Sequence, residues 1–351
     1  MNASETESPV DRQALRLAES LRSRSRFQVV LESLIYGSII STAFIGNLLV
    51  LYIVYKSPRL RNVPGLFVAS LALSDIAMAT LATPPSLAAT ITGRWTSGFA
   101  ACQFQGFVVI TLVAASLQTM ALMSIDRYFR VVHPMKHRIF FTMSRARYMT
   151  ASVWIVAMMY PVPYLANGET YIFHPGKFFC FYEANSSFAA DLIYICICIS
   201  LAVLSFCYFN VFRHLRLNAQ RVKNMRAAFT TKDDNTSKIS TEEIRLTRTL
   251  FVTVIAYLIC WTPILVIDFV EMGVGDWSLS RGFYVMYNDI GHIGLTSSTL
   301  NPIIYGVLNQ TFRREYKRIF CFKNSSNQDE NCGRPSGVVE RRSRITLPTV
   351  V

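Results

Sequence analysis

The chain has 351 residues, 52% of them hydrophobic and 16% charged, with a mean hydropathy of +0.31. Soluble domains average about 25% charged residues, so composition alone disfavours a soluble enzyme. The 35 Lys and Arg outnumber the 22 Asp and Glu for a net charge of +13, an excess that in so apolar a chain points to cytoplasmic loops of a membrane protein rather than to nucleic acid.

A helix that crosses a hydrocarbon core of about 30 Å needs about 20 mostly apolar residues. Windows free of Lys and Arg predict seven such spans, at 27–55, 66–91, 99–125, 148–166, 188–212, 250–272 and 283–305. Pro84, Pro85, Pro161, Pro163, Pro263 and Pro302 lie within them, and neighbouring helices re-satisfy the backbone that such prolines free. No strand signal competes. The expected fold class is all-α membrane: a seven-transmembrane-helix bundle with a short amphipathic helix after span 7.

Three alternate loops and the tail after span 7 hold 27 of the Lys and Arg, against 8 in the amino tail and the other loops. The positive-inside rule therefore predicts a multi-pass plasma-membrane protein with its amino terminus outside, although Arg22, Arg24 and Arg26 pull the other way. The expected layout is an extracellular amino tail over 1–26, a helical core with a membrane-surface helix over 27–322 and a disordered cytoplasmic tail over 323–351. The amino tail lacks an apolar stretch, so the first span is expected to direct insertion. Asn2 and Asn185 open glycosylation triplets on the outer side. The polar stretches 223–243 and 324–351 are expected to be mobile.

Polar groups inside spans mark candidate sites, because lipid leaves them unsolvated. Asp75 is one, and with Asn47, Ser116, Ser298 and Asn301 it offers an oxygen-lined hole suited to a small hard cation such as sodium. The alternative is a neutral, hydrogen-bonded polar knot. Asp126-Arg127-Tyr128 ends span 3 at the cytoplasmic border and Glu243 begins span 6; an ion pair exchanged between the two helices would be a two-state switch. Spacing alone favours an Arg127 that merely snorkels.

Of the eight cysteines, Cys102 and Cys180 are the two on the oxidising side, so a disulfide is expected between them. Cys196, Cys198, Cys207 and Cys260 lie within spans as small packers, and no His/Cys cluster suggests zinc. After span 7, Phe312, Tyr316, Ile319 and Phe320 share one helical face with basic residues opposite, which suits an anionic inner leaflet, and Cys321 is a palmitate acceptor candidate.

Gly46-Asn47, Leu71-Ala72-Leu73-Ser74-Asp75, Trp95, Cys102, Asp126-Arg127-Tyr128, Trp154, Cys180, Tyr208, Cys260-Trp261-Thr262-Pro263 and Asn301-Pro302-Ile303-Ile304-Tyr305 together resemble the rhodopsin-like (class A) G-protein-coupled receptors over about residues 27 to 322. The resemblance implies a receptor, not an enzyme, that reports an extracellular small-molecule ligand to a heterotrimeric G protein by shifting a pre-existing equilibrium. It implies that Trp261 and Pro263 form the pivot of span 6, that Asn301, Pro302 and Tyr305 rearrange with it, and that Arg127 meets the G protein. Two positions depart from the pattern: Ser200 stands where span 5 has a proline, and Tyr257 where span 6 has Phe.

The position where amine receptors carry Asp is Val109, and the retinal-bearing Lys of visual pigments is replaced by Leu295. A finer resemblance is to melatonin receptors, through Gly93-Arg94-Trp95 and the run from Ile303 through Asn309 to Tyr316. The positions that hold melatonin's polar groups read Tyr164 and Ala184, which implies a different ligand, a peptide or other non-amine compound being the alternative to a small molecule. Pocket candidates are Val109, Val113, Tyr182, Cys196, Trp261, Asp268 and His292. Asp268 fits a solvated loop edge slightly better. A seven-span transporter or channel would need repeats and several buried charges, and an intramembrane enzyme a nucleophile with its base; the sequence shows neither. The Thr349-Val350-Val351 end fits a PDZ-domain ligand, and the Ser and Thr of the tail fit phosphorylation read by arrestin.

Overall fold

The computed structural model describes residues 15, 18–19, 21–175, 177–182, 188–228, 241–274 and 281–322, and the side chains of these except 188–192, 219, 221–244, 267–293, 295 and 320–322. The elements run α1 (Arg26–Lys56), α2 (Val63–Ala77), a π-helical turn (Met78–Ala82), α3 (Thr83–Thr92), α4 (Gly98–Val132), α5 (Pro134–Phe140), α6 (Met143–Met159), α7 (Val162–Ala166), β1 (Ile172–His174), β2 (Phe179–Phe181), α8 (Phe188–Ala228), α9 (Thr241–Val274), α10 (Arg281–Leu308) and α11 (Gln310–Phe322). Spans 1 to 7 are α1, α2 with α3, α4, α6 with α7, α8, α9 and α10. Six of these stretches are long and apolar enough to cross a membrane, and α10 packs on spans 6 and 1 as the seventh.

Local chemistry sets the ends. Ser25 and Gln28 form a capping box at the start of span 1, and Asn62 accepts from the Gly65 amide at 3.0 Å to start span 2, with Pro64 in its first turn. The π turn precedes Pro84 and Pro85, which cannot donate to the helical ladder. Large apolar side chains such as Leu34, Ile155, Phe206, Ile259 and Val307 remain exposed around the perimeter, as lipid requires. Span 3 is the most buried, enclosed by spans 2, 4 and 5, and its Met120, Leu117 and Met123 form the core with Phe67, Leu71, Val254 and Tyr305.

The helices outrun the predicted apolar windows, reaching Val132, Ala228 and Thr241, because charged residues continue a helix once it leaves lipid. The expected mobile loop of 223–243 is thus helical at both ends. Two elements were not foreseen: the short helix α5 between spans 3 and 4 and the antiparallel hairpin of β1 and β2, which pairs Phe173 with Cys180. The hairpin's aromatic and β-branched residues lie in a loop too short to register as a strand pattern.

Gly46 and Gly65 are two of the glycines that allow a close approach. A Cβ on Gly46 of span 1 would meet the Pro302 ring of span 7 at 2.8 Å. On Gly65 it would fall on the Leu60 carbonyl oxygen. Gly65→Ala is therefore expected to destabilise the receptor by about 1–3 kcal/mol, read as a lower melting temperature of the purified protein; an unchanged midpoint would show that this turn yields freely.

Candidate functional site

The hairpin is docked on the amino-terminal end of span 3 by several bonds. Cys102 and Cys180 form a disulfide. Gln103 donates from Nε2 to the Tyr171 carbonyl at 2.8 Å and accepts from the Tyr171 amide at 2.9 Å. Gln105 accepts from the Cys180 amide at 2.8 Å and donates to the Ala82 carbonyl at 2.6 Å and Ser86 Oγ at 2.9 Å, so one buried amide joins span 3, the π turn and the hairpin. Above it, Leu21 is buried, and Arg24 pairs with Glu32, donates to the Thr90 carbonyl at 2.5 Å and lies 5.9 Å from the Phe178 ring. The Arg22 to Arg26 cluster that opposed the charge rule thus contributes Arg24 to a roof.

Beneath the hairpin lies a cavity of about 670 Å³ including its mouth. Val109, Val113, Tyr182, Cys196 and Trp261 line it. The side chains of Asp268 and His292 lie outside the described residues. Sequence reasoning missed Lys177, Phe179 and Phe181 of the hairpin and Tyr194 and Ser200 of span 5, which also line it. Ser200 lies within the continuous helix α8 and donates to the Cys196 carbonyl one turn earlier at 3.0 Å. In the hairpin, burial and the positive charge of Lys177 hold the His174 imidazole well below its usual range, so it is neutral at physiological pH.

At the floor, Trp261 Nε1 donates to Ser297 Oγ at 3.1 Å. The next residue, Ser298, donates to Asp75 Oδ1 at 2.7 Å, and Asn301 donates to Asp75 Oδ2 at 2.7 Å. Asn47 donates to the Ser298 carbonyl at 2.9 Å, while its own Oδ1 is buried without a hydrogen-bond partner among the described residues. Ser116 bonds Ser74 at 2.9 Å rather than Asp75. Carboxylate, hydroxyl and amide oxygens are the donor set of a hard cation, and the orphaned Asn47 oxygen is an acceptor still to be satisfied.

At the end of span 3 away from the hairpin, Asp126 and Arg127 pair, with Arg127 Nε donating at 2.9 Å. His137 of α5, which sequence reasoning missed, lies 2.8 Å from Asp126 Oδ1 through Nε2 and stacks on Phe141. Arg127 is 0% exposed, so it does not snorkel in this state, and its partner is its neighbour; Glu243's side chain lies outside the described residues. Tyr208 is buried against Phe251, with its hydroxyl unpartnered among the described residues, and Tyr305 stacks on Phe312 at 5.4 Å. Of the face predicted for α11, Phe312, Tyr316 and Ile319 pack on the core; the side chains of Phe320 and Cys321 lie outside the described residues, as do Asn2 and Asn185.

The sequence profile of the 7 transmembrane receptor (rhodopsin family) matches residues 46–305. The chain is 26% identical to melatonin receptor type 1A of Gallus gallus over 329 residues, 87% of each chain. It is 28% identical to the neuromedin-K receptor of Cavia porcellus, over 83% of this chain and 65% of that one. Squid rhodopsin shares the fold with a TM-score of 0.70 at 22% identity, over 85% of this chain and 87% of that one. With a seven-helix bundle and a family match spanning most of its length, the chain belongs to the rhodopsin family of seven-transmembrane receptors, multi-pass proteins of the plasma membrane that signal rather than catalyse.

Proposed function

We propose that the cavity under the hairpin is the site of an extracellular messenger, and that its occupancy is reported to a heterotrimeric G protein at the Asp126-Arg127-Tyr128 end of span 3. The observation that carries this reading is the run of contacts from Trp261 at the cavity floor through Ser297 and Ser298 to Asp75 and Asn301, one residue before Pro302. A ligand that repositions Trp261 displaces groups hydrogen-bonded to the bend of span 7. In this reading the amino tail, 1–26, is extracellular with a glycan on Asn2, the loop between spans 4 and 5 carries another on Asn185, residues 323–351 form a cytoplasmic tail, and Cys321 carries a palmitate. Arrestin and a PDZ domain would read the tail.

Similarity to melatonin receptors does not bring melatonin with it, because Tyr164 is consumed in a stack on Tyr171 at 5.0 Å rather than presented to the cavity. The decisive experiment is G-protein dissociation in cells across a ligand panel that includes melatonin and other indoles. Arg127→Ala is expected to abolish the response while leaving ligand binding intact; a full response in that variant would remove the assignment of Arg127.

Asp75, with Ser116, Ser298, Asn301 and Asn47 around it, is assigned as an allosteric sodium site. Sodium, exchanged for choline at constant ionic strength, is expected to raise the melting temperature of the purified receptor by a few degrees, and Asp75→Asn to erase that difference. Equal midpoints in both salts for the native protein would leave Asp75 a polar knot.

A further inference from the structure

Of the three arginines just before span 1, Arg22 and Arg26 are exposed, whereas the side chain of Arg24 is only 6% exposed. Three elements meet on its guanidinium. One nitrogen pairs with Glu32 of span 1, and another donates to the Thr90 carbonyl near the end of span 2 at 2.5 Å. The third, Nε, donates back to the Leu21 carbonyl at 2.9 Å, and the Phe178 ring of the hairpin turn lies 5.9 Å from the guanidinium carbon. Leu21 is buried, and its carbonyl runs against the turn at Gly93, where an added Cβ would come within 3.3 Å of it. Residues 21–24 therefore form a strap that joins span 1, span 2 and the hairpin.

The strap bears on a backbone that would not keep its shape alone. Lys177 and Phe178 both donate from their amides to the His174 carbonyl at 3.0 Å, closing the turn between β1 and β2. Phe178 takes a φ of +58°, a left-handed conformation that a bulky residue rarely adopts and that persists only where its surroundings over-determine it. The residues on either side of it, Lys177 and Phe179, line the cavity, so the conformation of Phe178 sets where two wall residues stand. Two fixtures hold that conformation. The disulfide at Cys180 is covalent, while the contacts of Arg24 can be released. We propose that Arg24 is a positioning residue of the cavity and the strap its latch: with the guanidinium seated, the Phe178 turn is held and the cavity is closed on the hairpin side. When the guanidinium leaves, the turn relaxes, Phe179 withdraws from the wall and the cavity opens to water there. This rests on the reading of the cavity as the messenger site and gives that site a gate.

The receptor carries its own reporters. Cys196 lines the cavity, and Cys207, buried about three turns further along span 5, reacts only if the bundle itself opens. Full-length receptor in nanodiscs is treated with iodoacetamide and alkylation is followed by peptide mass spectrometry, in a Cys198→Ser background so that the exposed neighbour does not confuse the count. In the receptor with an intact strap, Cys196 is expected to react about tenfold or more slowly than glutathione. Arg24→Ala is expected to raise that rate about 10- to 100-fold while Cys207 stays unreactive, since a charged group with several partners is lost from the closed state alone. Arg24→Lys keeps the pair with Glu32 but cannot bond both carbonyls, so its rate should fall between the two. Glu32→Gln keeps the carbonyl and ring contacts and should give a rise of about two- to fivefold; it carries the test should Arg24→Ala fail to fold. Unchanged Cys196 rates in the variants, or a parallel rise at Cys207, overturn the gate. A fast Cys196 behind the intact strap overturns it without any strap variant. The assay contains neither messenger nor G protein, so its failure refutes the gate alone, whereas a working gate in a receptor that never couples refutes the reading of the cavity alone.

Discussion

Cys102→Ala and Cys180→Ala should each lower the melting temperature of the receptor by about 5–15 °C and reduce its surface expression, from a loss of about 2–5 kcal/mol. The bond closes a loop 78 residues long, so its removal frees a large unfolded ensemble. Its local role is as large as its entropic one. Cys180 is completely buried, sits in the short strand that carries Phe179 and Phe181 into the cavity, and is preceded by the strained Phe178. Without the bond, that turn can relax and the roof loses its fixed height. The Gln103 and Gln105 bonds remain, which is why the hairpin should loosen rather than detach, and why the double variant should cost no more than either single one. Differential scanning of the three variants checks both statements; a double variant markedly worse than the singles would mean that one thiol has a separate partner.

The second large effect is expected at the Asp126-Arg127-Tyr128 end of span 3. Asp126 accepts from Arg127 and faces His137, with all three side chains buried. Asp126→Asn leaves a buried guanidinium without its counter-charge, which costs about 3–5 kcal/mol where no other partner is available. The protein can shed part of that cost by releasing Arg127 from the bundle interior. Since about 1.4 kcal/mol is tenfold in a two-state equilibrium, even a third of the cost should raise ligand-independent G-protein coupling about tenfold. His137→Ala removes one contact to the same carboxylate and should act in the same direction with a smaller rise, about two- to fivefold, from about 0.5–1 kcal/mol. Basal G-protein dissociation, normalised to surface receptor, measures both. A silent Asp126→Asn with normal expression would mean that the pair holds no equilibrium in check.

Much of the bundle was legible because lipid writes plainly: an apolar run of span length has few other fates, and the basic residues gather on one side of it. What escaped was whatever depends on direction at a single residue. Lys177 counted, in the sequence, as one of three basic residues in the outer loops; that it lines the cavity follows from the left-handed Phe178 and the Cys102 tether, neither of which has a periodicity. His137 reads as one more basic-loop residue until Pro134 starts a short helix that brings it back to Asp126. Ser116 was grouped with Asp75 as an oxygen donor of the same span region, yet it bonds Ser74, because adjacent residues on a helix point about 100° apart and the two helices meet at the serine. Val109, Val113 and Trp261 were easier to place, since span 3 and span 6 are long helices whose inner faces repeat.

The contact of Gly46 with Pro302 bears on how such a molecule can bend. Where nothing bulkier than a hydrogen atom separates two helices, they have no clearance to slide past each other, and the proline's ring is seated against the first helix like a hinge pin in its post. Span 7 can flex on either side of that point but cannot shift through it. The first span, which lines neither the outer cavity nor the Asp126 cluster, then serves as the stationary frame against which the moving parts are leveraged, and a methyl group added at position 46 would act on motion before it acted on affinity.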